Sequence, residues 1–300
     1  WERDTAHMLR RDGKVITAGT RRFWNLADPS AFEILDQRIV QFLKANNLGY
    51  VKIDYNENVG VGCDHPDSPG EGVRQQVLGT HRFFKRLREV NPDLAIENCA
   101  SGGHRLEPAM FGLSSMSAFS DAHELDTIPV IAASLHRLMP VRQMQIWAVI
   151  RAAADLKHIV YLLSSAMLGR LCLSGDILQL SEQQFDTVKR ALTFYRQLVP
   201  VLKSGDSQVI AMTGKSRKCL TGSQIVSRLR RDGKQLVLWF HAFGDAPEAM
   251  RFSLPAGEWQ LAGEFSAPDT GTLHLTGCEL VLTAPAAKSG HVVLLDKTDA

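Results

Sequence analysis

The sequence has no stretch of about 18 consecutive apolar residues, so no transmembrane helix is expected. It has no surplus of either charge. Lys+Arg number 34 against Asp+Glu 32, a formal net charge of +2. That balance gives no electrostatic case for nucleic acid or an anionic membrane surface and suits a neutral ligand. Cysteine is sparse: Cys63, Cys99, Cys172, Cys219 and Cys278 are odd in number, scattered and without a CxxC pair. This argues against a disulfide framework or a zinc site and favours a reducing cytoplasm. Trp1-Glu2-Arg3-Asp4 carries no signal-peptide apolar core. A start on Trp instead of Met makes a fragment or a processed product the expectation. There is no internal repeat and no low-complexity tract.

What is present is ordinary globular composition, 45% hydrophobic and 22% charged over 300 residues, enough for one large domain and a small one or for two medium domains. The first two-thirds alternate short apolar runs with helical patterns. Asp28-Pro29 can cap and begin a helix carrying Phe32, Leu35, Ile39, Phe42 and Leu43 at helical spacing, closed by Gly49. Strands are expected at Tyr50–Asp54, Leu94–Glu97 and Met116–Phe119, and also near Phe23–Leu26, Met144–Trp147 and Leu171–Leu173. Helices are expected over Val73–Val90, Tyr161–Leu168 and Glu182–Leu198. This rhythm points to parallel βα units, about six of them. Carboxylates just after strands fit a (β/α)-barrel, although a doubly wound sheet also binds ligands there. From about Ser204 short strand-like runs alternate with turns such as Asp232-Gly233 and Asp269-Thr270-Gly271. The expected organisation is a partial (β/α)-barrel over 1–203 and a small antiparallel β domain over 204–300.

Three clusters can carry chemistry. In Tyr50-Val51-Lys52-Ile53-Asp54-Tyr55-Asn56 the period-2 strand sends Lys52 and Asp54 to one side. An ammonium there keeps a carboxylate ionised, as a nucleophile requires, and Asn56 can meet a ligand hydroxyl. A structural ion pair at a strand end is the plainer alternative. In Glu97-Asn98-Cys99-Ala100-Ser101-Gly102-Gly103-His104-Arg105 the glycines let backbone approach a ligand, or form an ordinary βα turn. Cys99 with His104 as a nucleophilic pair is the weaker reading. In Phe119-Ser120-Asp121-Ala122-His123-Glu124 either Asp121 or Glu124 can be a proton donor if burial raises its pKa. A solvated acidic loop is the alternative. His65, His123, Asp64 and Asp67 have no tight ligand spacing, so no metal is expected.

The ordered set Lys-x-Asp-x-Asn, Glu-Asn-Cys-Ala-Ser-Gly-Gly-x-Arg and Ser-Asp resembles that of glycoside hydrolase family 36. Asp121 falls 67 positions after Asp54, close to that family's spacing. The likeness runs from Trp1 to about Pro200, through Gly169-Arg170-Leu171, Ser174-Gly175-Asp176 and Leu180-Ser181-Glu182-Gln183. The family includes α-galactosidases, α-N-acetylgalactosaminidases and raffinose-type transferases. The resemblance implies Asp54 as nucleophile and Asp121 as general acid/base. Lys52, Asn56, Cys99 and Gly102 resemble residues around the bound galactose. An arginine from the preceding segment, Arg21 or Arg22, should also reach the sugar, and Arg22 is carried forward. A retaining mechanism implies carboxyl groups about 5–5.5 Å apart and needs no cofactor.

Several positions depart from the family pattern. Ala122-His123-Glu124-Leu125-Asp126 follows Ser120-Asp121 where the family repeats Thr-Asp, and Ile53 and Tyr55 stand where Trp and Met are usual. His104 and Glu107-Pro108 also differ. Trp1-Glu2 resembles a point inside the third barrel unit. The family's N-terminal β-sandwich and first strands are therefore expected upstream. An α-galactoside is the implied ligand, and a homo-oligomer or association with the preceding segment is the implied way to cover open sheet edges.

Overall fold

The structure is a computed structural model that describes residues 5–122, 126–213 and 220–298. Trp1-Glu2, His123, Glu124, Leu125 and Cys219 lie outside the described residues. The chain divides into two compact units, one ending at Ala118 and one beginning at Phe119.

The first unit holds three parallel strands, β1 (Tyr50–Asp54), β2 (Ala95–Cys99) and β3 (Met116–Ala118). Their register pairs Lys52 with Glu97, Asp54 with Cys99, and Asn98 with Ser117. Helix α1 (Pro69–Val90) joins β1 to β2, and the short α2 (Pro108–Leu113) joins β2 to β3. Ser68 caps α1 by accepting the Glu71 amide at 3.1 Å, with Pro69 opening the helix. Glu107 caps α2 in the same way. The helical stretch 29–45 starts from the Asp28 cap and widens into a π-helical turn at Asp36–Val40.

Strand alternation decides which side chains are hidden. Val51, Ile53 and Ile96 join Phe83, Phe84 and Leu87 of α1 in an apolar core. Tyr50, Lys52 and Asp54 take the other face of β1 and are exposed, Tyr50 by 50%. The strand expected near Phe23–Leu26 forms only a single bridge, Met8 to Trp24. Phe23 instead enters a small core with Leu9, Ile16 and Val59. The described residues therefore contain five parallel strands, not about six.

The second unit holds the other two parallel strands. Helix α3 (Ile128–Leu135) precedes β4 (Met144–Ile150), then α4 (Leu156–Ala166), β5 (Arg170–Gly175) and α5 (Glu182–Lys203). Strands β4 and β5 run parallel from Gln145↔Arg170 to Ile150↔Gly175. Next come β6 (Gly205–Thr213), β7 (Gly222–Arg230), β8 (Gln235–Ala242), β9 (Ala249–Ser253), β10 (Trp259–Phe265), β11 (Thr272–Leu275), β12 (Glu279–Thr283) and β13 (Ser289–Lys297). They form two antiparallel sheets, in the orders β6-β7-β8-β13-β10 and β9-β12-β11.

Leu236, Leu238 and Phe240 of β8 meet Met250, Phe252, Leu280 and Leu282 in the core between these sheets. The opposite face of β8, with Trp239 and His241, turns toward helices: Trp239 lies edge-on to His136 and His241 edge-on to Tyr161. Helix α4 is buried all round from Ile159 to Ala166 because it packs on both β4 and β13. Within this unit α4 and α5 pack on the antiparallel sheet. No described helix is long and apolar enough to cross a membrane.

Candidate active site

Parallel pairing of β1 with β2 brings Lys52, Asp54, Glu97 and Cys99 onto one side of the sheet. Lys52 Nζ lies 3.2 Å from Glu97 Oε1, and the Tyr50 hydroxyl donates to Glu97 Oε2. The Glu97 side chain is only 3% exposed, so its ion pair is a fixed feature of the sheet. Burial pulls the Lys52 pKa down, but the charge of Glu97, followed by Cys99 and Asp54, lifts it above the ordinary lysine value. Lys52 is thus firmly cationic. Its principal partner is Glu97, with Asp54 a lesser one, whereas the strand spacing alone suggested Asp54.

Burial pushes the Cys99 thiol up, opposed by the Gly102 amide and by Lys52; the Asp54 charge and its hydrogen bond to the thiol push the same way as burial. Cys99 therefore stays a thiol at neutral pH and is no activated nucleophile. Its place beside the Asp54 carboxylate makes it a neighbour that fixes that group.

The loop after β2 is held open by backbone geometry and by Asn56. Ser101 and Gly102 have φ of 44° and 79°, a left-handed turn that glycine enters without strain. The Ser101 amide donates to Asn56 Oδ1 at 2.9 Å, and its hydroxyl donates to the Asn56 carbonyl at 3.0 Å. Asn56 thereby clamps the Ser101–Gly102 turn to the end of β1. Its side-chain amide remains on the exposed side.

Arg105 is the residue whose role the sequence reading missed, although it closes the second motif. Its guanidinium donates to the carbonyls of Ile53 at 3.1 Å and Cys99 at 2.7 Å, tying together the ends of β1 and β2 next to Asp54. It also sits over the Tyr55 and Phe84 rings at 5.4 Å and 5.7 Å. Burial lowers its pKa only against the opposing pull of Tyr55, Cys99 and Asp54. The available signal was an arginine two residues past a pair of glycines, Gly102 and Gly103. Behind this loop lies a cavity of about 450 Å³, lined by Tyr55, Val73, Gln76, His81, Ala100 and Arg105. Asp54 is not part of it.

The remaining expected residues fall as follows. Arg22 lies exposed on the short hairpin of Thr17–Ala18 and Arg21–Arg22, while Arg21 bridges to Glu57 at 2.9 Å, in the loop after Asp54. Asp64 accepts the Asp12 and Gly13 amides at 2.7 and 2.9 Å and so ties its loop to that distant turn, while His65 sits 3.7 Å from Asp67 in its own loop. Asp121 comes three residues after the end of β3, at the start of the second unit, with its side chain exposed. Beside it, Ser120 Oγ accepts the Ala122 amide at 3.0 Å.

Comparison with known proteins places this arrangement in a family. A family model described as Melibiase matches residues 7–205. The chain is 26% identical over 193 residues to alpha-galactosidase 2 of Pediococcus pentosaceus, a match covering 62% of this chain and 27% of that protein. It is 24% identical over 226 residues to a probable alpha-galactosidase C of Aspergillus oryzae, covering 73% of this chain and 28% of that one. Among solved structures, the α-galactosidase of Lactobacillus brevis superposes with a TM-score of 0.80 at 17% identity, covering 98% of this chain and 42% of its own. A GH36 α-galactosidase of Geobacillus stearothermophilus solved with 1-deoxygalactonojirimycin superposes with a TM-score of 0.79 at 15% identity, covering 97% and 42%. These likenesses to solved structures show the fold: part of a barrel followed by antiparallel sheets. The chain spans little more than a quarter of the curated relatives and about two-fifths of the solved ones. Because the family match extends over two-thirds of its length, the chain belongs to the melibiase family.

Proposed function

We propose that the protein to which this chain belongs hydrolyses α-galactosides by a two-carboxylate double displacement with net retention. The observation that carries this reading is the exposed Asp54 carboxylate at the end of β1, flanked by cationic Lys52 and the Cys99 thiol, in a chain of the melibiase family. Asp54 attacks the anomeric carbon as the glycosidic C–O bond breaks and protonated Asp121 donates to the leaving oxygen. Water, giving a proton to Asp121, then cleaves the glycosyl ester. Lys52, Asn56, Cys99, Gly102 and Arg22 contact the sugar, and Arg105 acts through the backbone as a positioning residue. The Geobacillus enzyme has been solved with stachyose and with raffinose, which supports an oligosaccharide α-galactoside as substrate. In this reading 1–203 is the catalytic part and 204–300 the β domain. Among the described residues Cys63, Cys99 and Cys278 are in no disulfide, which suits the cytoplasm.

Proton NMR of an aryl α-galactoside digest is the test. The α anomer should appear first, and Asp54→Asn should abolish turnover. Unimpaired turnover by that variant, or first release of the β anomer, overturns the assignment.

One observation supports a second reading, in which this chain alone is catalytically incomplete. Tyr50, Lys52 and Asp54 lie on an exposed strand face, whereas a sugar site encloses its carboxylates. The isolated chain should then turn over weakly and gain activity when supplied with the preceding segment or when it self-associates. Full turnover by an isolated monomer removes this reading.

A further inference from the structure

A cationic cleft opens in the second unit, at the end of β4 and β5 opposite to Asp176. It encloses about 330 Å³ between the turn before β4, the C-terminal end of α5 and the strands β6 and β7. Four cations line it, Arg142, Lys203, Arg228 and Arg231, with Asp206 as the single carboxylate in its wall. A second hollow of about 390 Å³ shares Arg142, Leu202 and Lys203 and adds Arg170, with no carboxylate at all. In a chain whose overall charge is only +2, this concentration is local and calls for a separate explanation.

Helix chemistry accounts for one of these cations. Arg228, 8% exposed, donates to the carbonyls of Val201 at 2.9 Å and Leu202 at 3.3 Å, and to Ser207 Oγ at 2.8 Å. It satisfies the open end of α5 and stands fixed in the cleft floor. His136 backs the same floor. Its Nε2–H donates to the Leu168 carbonyl at 2.7 Å and its Nδ1 accepts from Ser207 at 2.9 Å, so the ring is neutral. Among the described residues no hydrogen bond or ion pair engages the side chains of Arg142, Lys203 and Arg231. The nearest acid in sequence to Arg231, Asp232, is taken by Arg230 at 3.1 Å. Burial and the charge of Arg231 both press the Arg228 pKa below its usual value, against the pull of Asp206. Four cations thus face one carboxylate, Asp206, in the cleft wall.

We propose that this cleft binds a small phosphate-bearing anion. Guanidinium groups match phosphate oxygens in paired hydrogen bonds, and the exposed Arg142 and Arg231 supply two of them above Arg228, whose own donors are spent on the helix end and Ser207. A concave volume of this size suits a pyrophosphate or a sugar phosphate and is too confined for a duplex. The ligand joins the α5 end to β7 and to the turn before β4, so it braces the junction between βα units and antiparallel sheet. This inference does not depend on the glycosidase reading.

The test is calorimetric titration with sodium pyrophosphate and, separately, with glucose 6-phosphate, at ionic strength held constant by sodium chloride. Saturable binding is expected for at least one probe, and which one saturates separates a bare phosphate site from a phosphosugar site. The double variant Arg142→Ser, Arg231→Ser should weaken binding by about tenfold or more, while thermal unfolding stays unchanged because both side chains are exposed and unpaired. If that variant misfolds, Lys203→Gln should reproduce the weakening. The control Lys85→Gln, on α1, should bind as the parent does. Three results overturn the proposal. These are heat no larger than the chloride control, equal binding by parent and variant, and binding of duplex DNA or heparin without binding of either phosphate.

Discussion

Both units bury polar side chains against helices and strands, but they use them for opposite ends. In the first unit Glu97, almost fully buried, spends its two oxygens on Tyr50 and Lys52, which stand on an exposed strand face. Asn56 and Arg105 likewise fix loop and strand ends around Asp54. In the second unit Ser164 and Ser165 of α4 face His241, Gln224 donates to the Pro129 carbonyl at 3.0 Å, and Arg228 caps α5. There the polar groups look inward and fasten helices to the antiparallel sheet. A buried polar group that supports an exposed charge prepares chemistry, whereas one that joins two buried elements specifies packing. Substitutions should therefore separate activity from stability according to the unit they fall in.

The largest expected effect belongs to the first unit. Asp54→Asn should lower turnover of an aryl α-galactoside by about a thousandfold or more, with the unfolding midpoint unchanged, since the exposed carboxylate holds up no core. A variant that unfolds early would place Asp54 with the structural groups and dissolve the contrast. The matching disturbance in the second unit is Gly290→Val. A Cβ on Gly290 would come 2.0 Å from Ser164 Oγ and 3.0 Å from Ser164 Cβ, where β13 passes against α4. Overpacking at such a contact costs about 1–3 kcal/mol. Urea unfolding should move to a lower midpoint with unchanged slope, and an unshifted midpoint would show that the contact is loose.

The same contrast explains what could be read in the residues beforehand. Strands β1 and β2 were legible because Val51, Ile53 and Ile96 alternate with polar partners and end in carboxylate and thiol. Most of the antiparallel strands announced themselves by turns, but β7 did not. Its Ser223, Gln224, Ser227 and Arg228 are buried, the last three with side-chain hydrogen bonds to neighbouring elements, so apolar patterning gave no sign of a strand buried along most of its length. At the site, Lys52 and Asp54 were visible as a period-2 pair, yet the dominance of Glu97 was not. It depends on parallel register, which places residue 97 opposite residue 52, 45 positions earlier, and has no local signature. Arg105 escaped for a similar reason: its bonds go to backbone carbonyls, which carry no residue identity.

The inward-looking polar groups of the second unit should make stability depend on pH. Burial, reinforced by His291, lowers the His241 pKa to about 3, and burial lowers that of His136 to about 4. Both lie below the unfolded value near 6.5, so the unfolded chain binds more protons as the medium is acidified. Their contribution is intact above about pH 6.5 and is lost progressively as pH falls toward 4, by up to about 1.4 kcal/mol per pH unit for each ring. Unfolding midpoints measured from pH 7 to pH 4 should fall, and His241→Gln should flatten that fall. An equal slope in the variant would assign the acid sensitivity to carboxylates.

The smallest effect sharpens the comparison within the first unit itself. Asn56 accepts the Ser101 amide, and that bond holds a turn in which Ser101, a residue with a Cβ, has positive φ. Asn56→Ala removes one hydrogen bond at an exposed position, about 1 kcal/mol. Because the turn is local, little of that should reach global unfolding. The loss should appear instead as faster amide exchange at Ser101, Gly102 and Gly103, while β1 and β2 stay protected through Arg105. Asn56→Asp keeps the acceptor and should restore protection at Ser101. If the alanine variant loosened the strands as well as the turn, Asn56 would have to count as part of the sheet's own fastening, and Arg105 alone would not suffice to hold the two strand ends beside Asp54.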